Sequence, residues 1–263
     1  MKHLIAAFGA MLCLATPGWS QQPAEPPGAV IYIGNSFFYY NNGLHGQVTQ
    51  MQRAAGLRPF RATLVGIGGS GFDWHDVNSY FRPNALGRYS FDQNNNVVLN
   101  PPRTPLFDVA IMMDCSQCPI HPQLAPVFHD FARRHSETVR SHGARPAFFM
   151  SWANKNRPEM TAQLAEAYIA AGRANDALVI PAGLAFARAM AERPAVDLHH
   201  PDLRHPSPAG TYLAAATVFA TLLNRSPEGN SFRAGLDAET AAFLQRIAWE
   251  TVRDFTAQQR AAR

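Results

Sequence analysis

The chain has 263 residues, of which 47% are hydrophobic and 16% are charged, and its formal net charge is +4. This composition is typical of a folded globular protein and excludes an intrinsically disordered chain. Basic and acidic residues alternate without a Lys/Arg block, so the charge does not indicate a nucleic-acid partner.

The first twenty residues have the features of a secretory signal peptide. Lys2 and His3 form a basic start, residues 4–15 are apolar, and the small residues Gly18 and Ser20 precede a cleavage position. The apolar stretch is too short to span a membrane, and no later segment is apolar over the roughly 18 residues that a membrane helix needs. We therefore expect residues 1–20 to be removed on export to the periplasm or the extracellular space, with no stable membrane insertion. An uncleaved N-terminal anchor is the alternative.

Strands and helices alternate along the rest of the chain, after an extended leader at residues 21–28. Strands are predicted at 29–33, 60–65, 107–113, 146–152 and 177–180, and helices at 43–55, 124–142, 158–172, 183–193, 209–223 and 238–256. Residues 78–105 form a long excursion with at most a small hairpin. Because strands that alternate with helices form parallel β-α-β units, we predict one α/β domain at 29–263 with a central, mostly parallel, five-stranded sheet.

Candidate functional residues follow these strands, at the edge where parallel sheets bind ligands. The stretches are GNS (34–36), GGSG (68–71), DCSQ (114–117) and, near the C-terminus, HHPDLRHPSP (199–208). They contain a hydroxyl, backbone N–H groups free of side chains, an amide, an acid and a base. These are the groups that acyl transfer requires.

Asp202 and His205 lie three residues apart, before a helix whose predicted N-cap is Ser207 and whose first residue is Pro208. In this arrangement Asp202 accepts a hydrogen bond from one ring nitrogen of His205, and the other nitrogen takes a proton from Ser36. Taken alone, an Asp-x-x-His pair is also typical of a surface loop.

Together these stretches resemble the SGNH (GDSL-like) hydrolases, in particular a branch with an IGNSF first block. The resemblance is carried by IGNSF (33–37), GGS (68–70), FDV (107–109) with SQ (116–117), and DLRHPSP (202–208), and it extends over nearly the whole mature chain. It implies a flavodoxin-like, three-layer α/β/α sandwich. It also implies a nucleophilic Ser36, a general base His205 and an acid Asp202 that orients the histidine.

The resemblance further implies an oxyanion hole with three donors. Two are backbone N–H groups, of Ser36 and of Gly69, with Gly71 as the alternative to Gly69. The third position is usually an Asn side chain and here is Gln117, which has the same carboxamide on a longer stem. No metal or cofactor is implied.

Other assignments compete with these. Ser70 is a rival nucleophile, although position 72 is Phe where a Gly-x-Ser-x-Gly elbow requires Gly. The residues His199, His200, Asp202 and His205 suggest a metal cluster, but two prolines interrupt the helical spacing that such a site would use. Trp74 and His75, and the aromatic residues 37–40, are candidates for a substrate groove, although Phe37 and Phe38 are expected in the core.

Cys115 and Cys118 form a C-x-x-C pair with four interpretations: a redox pair, half of a metal site, two buried free thiols or a structural disulfide. Export to an oxidising compartment favours the disulfide, which would brace the loop that carries Gln117.

The sequence therefore predicts an exported serine esterase without cofactor, acting on small acyl groups, most readily acetyl groups, of carbohydrates. Its partner would be a small-molecule or polysaccharide ester, and the sequence predicts no oligomeric state. The alternatives are a non-catalytic carbohydrate-binding protein of the same fold, a lipase or thioesterase of the same family, and a thiol-redox protein.

Overall fold

A computed structural model describes residues 26–83, 85–86, 89–99 and 103–262. The predicted signal peptide at 1–20 and the first five residues of the predicted leader lie outside this part of the chain. Among the described helices, none combines the length and hydropathy that a membrane span requires.

The centre of the molecule is a five-stranded sheet in which every pairing is parallel. Its strands are β1 (Ala29–Gly34), β2 (Arg61–Gly66), β5 (Val109–Met112), β6 (Arg145–Phe149) and β7 (Leu178–Ile180), in the spatial order β2-β1-β5-β6-β7. The strands β3 (Tyr89–Phe91) and β4 (Val97–Leu99) form a separate antiparallel hairpin within the long excursion. The predicted five-stranded α/β sheet is confirmed, and it is wholly rather than mostly parallel.

Helices cover both faces of the sheet. They are α1 (Ser36–Tyr39), α2 (Leu44–Ala54), α3 (Val77–Tyr80), α4 (Ala125–Ser141), α5 (Met160–Ala174), α6 (Ala182–Glu192), α7 (Pro208–Leu223) and α8 (Ala238–Ala261), with 3₁₀ turns at Phe72–Trp74 and Cys118–Ile120. The side chain of Ser207 caps α7 by accepting from Gly210 N–H, and Pro208 opens the helix, as predicted.

Alternate residues of each strand supply two cores, because successive side chains of a strand point to opposite faces. Val30 and Tyr32 of β1 pack with the core that contains α2, α6, α7 and most of α8. Ala29, Ile31 and Ile33 pack with the core that contains α4 and α5. All six residues of β1 are buried, so this strand is held from both sides and its carboxyl end is a firm base for the residues that follow it.

The structure differs from the predicted elements at several places, among them the strand predicted at 146–152, which ends at Phe149. Helix α1 is not among the predicted helices; it begins at Ser36, because Asn35 caps a helical turn there. The predicted start of α5 at Pro158 is wrong, because α5 begins at Met160. Helix α8 continues to Ala261 rather than ending at residue 256, since Gln259 is buried and accepts a hydrogen bond from Arg173 of α5 at 3.1 Å.

Candidate active site

The side chain of Asn35 ties three strand ends together at the carboxyl edge of the sheet. Its Nδ2 donates to the carbonyl oxygens of Ser70 at 3.0 Å and Asp114 at 3.2 Å, which follow β2 and β5. Its Oδ1 accepts from the N–H of Phe37 at 3.2 Å and so begins α1. With 4% of its surface exposed, Asn35 satisfies buried backbone groups and fixes the position of the next residue, Ser36.

Ser36 faces the ring of His205 across the edge of the sheet. Its Oγ lies 2.8 Å from Nε2 of His205, although 169 positions separate the two residues. The Nδ1 atom of His205 lies 2.6 Å from Oδ2 of Asp202. An ionised carboxylate can only accept a hydrogen bond, so Nδ1 carries the proton and Nε2 is free to accept one from Ser36. The structure thus joins the three residues predicted for catalysis in one hydrogen-bonded chain.

Asp202 is held by the loop that carries His205. Its Oδ1 accepts from the backbone N–H groups of Arg204 at 3.0 Å and His205 at 2.9 Å. Desolvation works to raise the pKa of Asp202, but these N–H groups and the His205 side chain outweigh it and hold that pKa below its ordinary value. Asp202 therefore remains a carboxylate wherever His205 can act as a base.

Contacts from the rest of the fold anchor this loop. The indole Nε1 of Trp152 donates to the carbonyl of Arg204 at 3.0 Å, and Lys155 N–H donates to the carbonyl of Leu203 at 2.8 Å. Leu203 has a φ of 65°, in the left-handed region, which turns the chain between the acid and the base. These contacts keep the separation of Asp202 and His205 constant without help from a ligand.

Two aromatic rings surround the imidazole of His205. Tyr40 is stacked on it, with ring centroids 4.3 Å apart and an interplanar angle of 4°, and Phe37 meets it edge-on at 5.5 Å. The prediction that Phe37 and Phe38 belong to the core is confirmed, since they are 3% and 0% exposed. The stacking by Tyr40 was not predicted from the sequence, where its only signal is a position four residues after Ser36, one helical turn away.

Comparison with known proteins points to the same fold. No family model matches the chain, and no curated protein matches it in sequence. Among solved structures, a candidate SGNH hydrolase from Slackia heliotrinireducens aligns over 73% of this chain and 97% of its own, with a TM-score of 0.53 and 20% identity. The chain has an SGNH-like fold.

Two further structures with this fold have different descriptions. A DUF4886 family protein from Bacteroides uniformis aligns over 85% of this chain and 94% of its own, with a TM-score of 0.57 and 19% identity. The acetyl xylan esterase AlAXEase aligns over 74% of this chain and all of its own, with a TM-score of 0.53 and 13% identity. The recognition of an SGNH-like fold from the sequence is therefore confirmed.

The two other residues predicted as oxyanion donors lie in the loops after β2 and β5, the strands on either side of β1. Gly69 is exposed in the turn after β2 and has a φ of 76°, a conformation that favours glycine. Gln117 is half-buried and directly precedes the 3₁₀ turn that begins at Cys118. The alternative glycine, Gly71, is buried, and a Cβ there would lie 2.8 Å from Oδ1 of Asp114, so its role is close packing.

Ser70, the rival nucleophile, is fully buried. Its Oγ donates to the carbonyl of Gly34 at 3.2 Å and lies 2.9 Å from Nε2 of His75, whose Nδ1 lies 3.2 Å from the hydroxyl of Tyr80. Burial, together with the charge of His135, lowers the pKa of His75 to about 4. Ser70 thus lies in a neutral network beneath the glycine turn, where a substrate does not reach it.

The groove assignment of His75 does not agree with this placement. His75 is 4% exposed and supports Ser70, whereas its neighbour Trp74 is 60% exposed. The two residues are adjacent at the end of a 3₁₀ turn. Such a turn is too short to show a hydrophobic repeat, so the sequence does not indicate which of the two side chains is buried. Only Trp74 remains accessible to a substrate.

The sulfur atoms of Cys115 and Cys118 are joined, at 2.08 Å, in a disulfide. With Asp114 they form the one group of potential metal ligands found among the described residues, but sulfurs bonded to each other are not thiolate ligands. Of the histidines in the competing metal cluster, His199 is occupied elsewhere, because its Nε2 bonds to the carbonyl of Ala153 at 3.0 Å. His200 and His205 both approach Oδ2 of Asp202, at 3.5 and 2.6 Å, and the remaining ring nitrogen of His205 faces Ser36.

Asp114 was not predicted to have a structural role. Its Oδ1 accepts from the N–H groups of Cys115 at 2.7 Å and Phe72 at 3.0 Å, and it therefore joins the disulfide loop to the loop after β2. Burial raises the pKa of Asp114 to about 6, despite these two hydrogen bonds. Its position directly after a buried strand is the signal that sequence reasoning could have used.

Proposed function

We propose that this chain is an exported serine esterase in which residues 29–263 form the catalytic unit. The observation that carries the proposal is the continuous chain of hydrogen bonds from Ser36 through His205 to Asp202 at the carboxyl edge of the sheet. A serine paired with a base, and a base oriented by a carboxylate, is the arrangement that activates a hydroxyl for acyl transfer.

In the first half of the reaction, Oγ of Ser36 attacks the ester carbonyl while Nε2 of His205 takes the hydroxyl proton. The carboxylate of Asp202, 2.6 Å from Nδ1, stabilises the imidazolium that forms. The tetrahedral intermediate then collapses, and His205 delivers the proton to the departing alcohol. In the second half, water attacks the acyl-enzyme with the same base, and the acid is released from Ser36.

Negative charge on the tetrahedral intermediate needs preorganised donors. The backbone N–H of Ser36, the N–H of Gly69 and the carboxamide of Gln117 are the groups we assign to it. The loss of one such donor typically costs about 3–4 kcal/mol of transition-state stabilisation. Asn35 and the buried network around Ser70 support this assignment, because they hold the loops after β1 and β2 in a fixed relation.

We propose small acyl groups on carbohydrates, acetyl esters above all, as the substrate. The predicted signal peptide would direct the protein to a compartment where such polymers occur, and one neighbour of the same fold is described as an acetyl xylan esterase. A series of p-nitrophenyl esters tests acyl size: an acetyl ester should be hydrolysed with a higher kcat/KM than a decanoyl ester. A preference for the decanoyl ester would instead favour a lipase or thioesterase.

The mechanism is tested with Ser36→Ala, which should lower kcat by roughly 10⁴- to 10⁶-fold and leave the fold intact. Ser141→Ala, an exposed serine at the end of α4, is the matched control and should keep full activity. A fluorophosphonate should label the peptide that contains Ser36. A label on Ser70, or full activity of Ser36→Ala, would refute the assignment, and no hydrolysis of any ester would favour a non-catalytic binding protein.

A further inference from the structure

A cleft of about 480 Å³ lies between the turn that joins α1 to α2 and the loop that joins α7 to α8. Its polar wall consists of amide side chains and its apolar wall includes one aromatic ring: Asn41, Asn42, Gln47, Gln50 and Phe232. Within the described part of the chain, none of the residues that line this cleft carries a formal charge. Its volume is in the range of small-molecule sites.

The side-chain amide of Gln47 has a hydrogen-bond partner for its nitrogen but, among the described residues, none for its oxygen. Gln47 is 6% exposed, and its Nε2 donates to the carbonyl of Asn41 at 3.1 Å. Its Oε1 is buried and receives no hydrogen bond from the residues that the structure describes. A buried acceptor without a donor costs about 1–3 kcal/mol, so a rotation of this amide that brings Oε1 to the cleft surface would give a ligand hydroxyl a favourable partner.

The walls of the cleft are fixed before any ligand enters. Phe232 is held by its N–H, which donates to Asn230 Oδ1 at 3.0 Å, and by its carbonyl, which accepts from the hydroxyl of Tyr212 at 2.8 Å. On the opposite wall Asn41 and Asn42 have φ values of 52° and 65°. This left-handed conformation is strained in residues other than glycine and persists only where the surrounding structure fixes it. Rigid walls lower the entropy that binding must overcome.

The cleft also adjoins the catalytic loop. The Nδ2 of Asn41 donates to the carbonyl of Pro206 at 2.9 Å, and Pro206 directly follows His205. It donates as well to the hydroxyl of Thr211 in α7 at 2.8 Å. A molecule bound in the cleft therefore lies against Asn41, whose side chain holds the carbonyl of the residue that follows the proposed catalytic base.

We propose that this cleft binds a neutral saccharide. An amide side chain carries both donors and an acceptor, which matches sugar hydroxyls, since these also donate and accept. Both N–H groups of Asn41 are used within the protein, so Asn42 and Gln50 are the amides we assign as donors to the sugar. The ring of Phe232 offers an apolar surface for the C–H face of a sugar ring, and a lining without charge matches an uncharged ligand. Binding of this kind does not require hydrolysis, and in the proposed esterase it would hold a non-reacting sugar of the same polymer.

The test uses Gly46, which lies in α2 and lines the cleft. Among the described atoms, none lies within 4 Å of a Cβ added there, so a side chain at this position extends into open space. Gly46→Trp should fill the cleft, whereas Gly46→Ala adds one methyl group and is the matched control. Calorimetric titration of the full chain with cellotriose should give a Kd that Gly46→Trp weakens by roughly tenfold or more and Gly46→Ala leaves within about twofold.

A second pair of variants tests the walls without filling the cleft. Gln47→Leu and Phe232→Ala should each weaken cellotriose binding, and a trimer of galacturonic acid should bind more weakly than cellotriose. Absence of cellotriose binding to the unmodified chain, equal binding by Gly46→Trp and Gly46→Ala, or preference for the charged trimer would overturn the proposal. Since cellotriose carries no ester, these outcomes are separate from the presence or absence of esterase activity.

Discussion

Replacement of Asp114 by Asn should stabilise the folded protein at alkaline pH. Asp114 is 2% exposed, and burial, aided by the negative charge of Asp73, raises its pKa from 3.8 to about 6 against the hydrogen bonds from Cys115 and Phe72. Ionisation in the folded state is therefore unfavourable. An Asn side chain removes the charge, and its carbonyl oxygen can accept from the same two N–H groups.

The magnitude follows from the difference between the folded and unfolded pKa. With a pKa of about 6 in the folded state and 3.8 in the unfolded state, the difference of about two pH units corresponds to about 3 kcal/mol. Below the unfolded pKa both states are protonated and Asp114 contributes no penalty. Between the two values the folded state binds more protons, so stability falls as pH rises, and above about pH 6 the full penalty remains.

The assay is the free energy of unfolding in urea at about pH 4 and about pH 8. Asp114→Asn should be more stable than the unmodified protein by up to about 3 kcal/mol at the higher pH and nearly equal to it at the lower. Asp130→Asn is a control of opposite sign, because hydrogen bonds from Arg134 and Arg133 lower the pKa of Asp130. An increase in the free energy of unfolding of Asp114→Asn that is the same at both pH values, or a decrease at about pH 8, would refute the reasoning.

Three further variants test the candidate site. Asp202→Asn should lower kcat by roughly 10²- to 10⁴-fold with little change in KM, because it removes the charge that stabilises the imidazolium; an unchanged kcat in steady-state assays would exclude that role. The stacked ring of Tyr40 should stabilise protonated His205 as a cation–π partner, so Tyr40→Leu should lower kcat roughly 3- to 30-fold, whereas Tyr40→Phe should keep the kcat of the unmodified protein. Equal kcat values for the two variants would contradict this role. Replacing Cys115 and Cys118 by Ser should cost about 2 kcal/mol of stability from chain entropy and lower kcat more than it raises KM, and two alkylatable thiols in the unreduced, exported protein would show that no disulfide forms there.

The parts of the molecule that were predictable from sequence depend on short-range patterns. Five apolar runs separated by helical segments are sufficient to predict the parallel sheet, because four of the five strands are largely buried on both faces. The edge strand β2 is only partly buried. The pairing of Asp202 with His205 is equally local: a carboxylate that accepts from the N–H groups two and three residues later forces the chain to turn back on it.

The remaining features depend on contacts that no local pattern encodes. Asn35 reads in sequence as a turn residue, and its connection of three strands becomes visible only once the strand order is known. The misplacement of His75 has the same origin, since its partner Ser70 is five residues away but is buried by the packing of loops from other strands. The amide-lined cleft combines segments about 190 residues apart, at Asn42 and Phe232, and no spacing rule could have joined them.

The pKa values of the two carboxylates near Ser36 are shifted in opposite directions, and this difference separates the roles of the two residues. Asp202 is 40% exposed at its side chain and receives two backbone N–H bonds and the His205 ring, which keep its pKa low. Asp114 receives N–H bonds as well, but burial prevails and raises its pKa to about 6. A partner for an imidazolium must remain charged throughout the working pH range, and only Asp202 meets that requirement. Asp114 instead joins two loops, and because the alternative glycine Gly71 packs against its oxygen, the carboxylate at that position acts as a brace for the loops from which the oxyanion donors come.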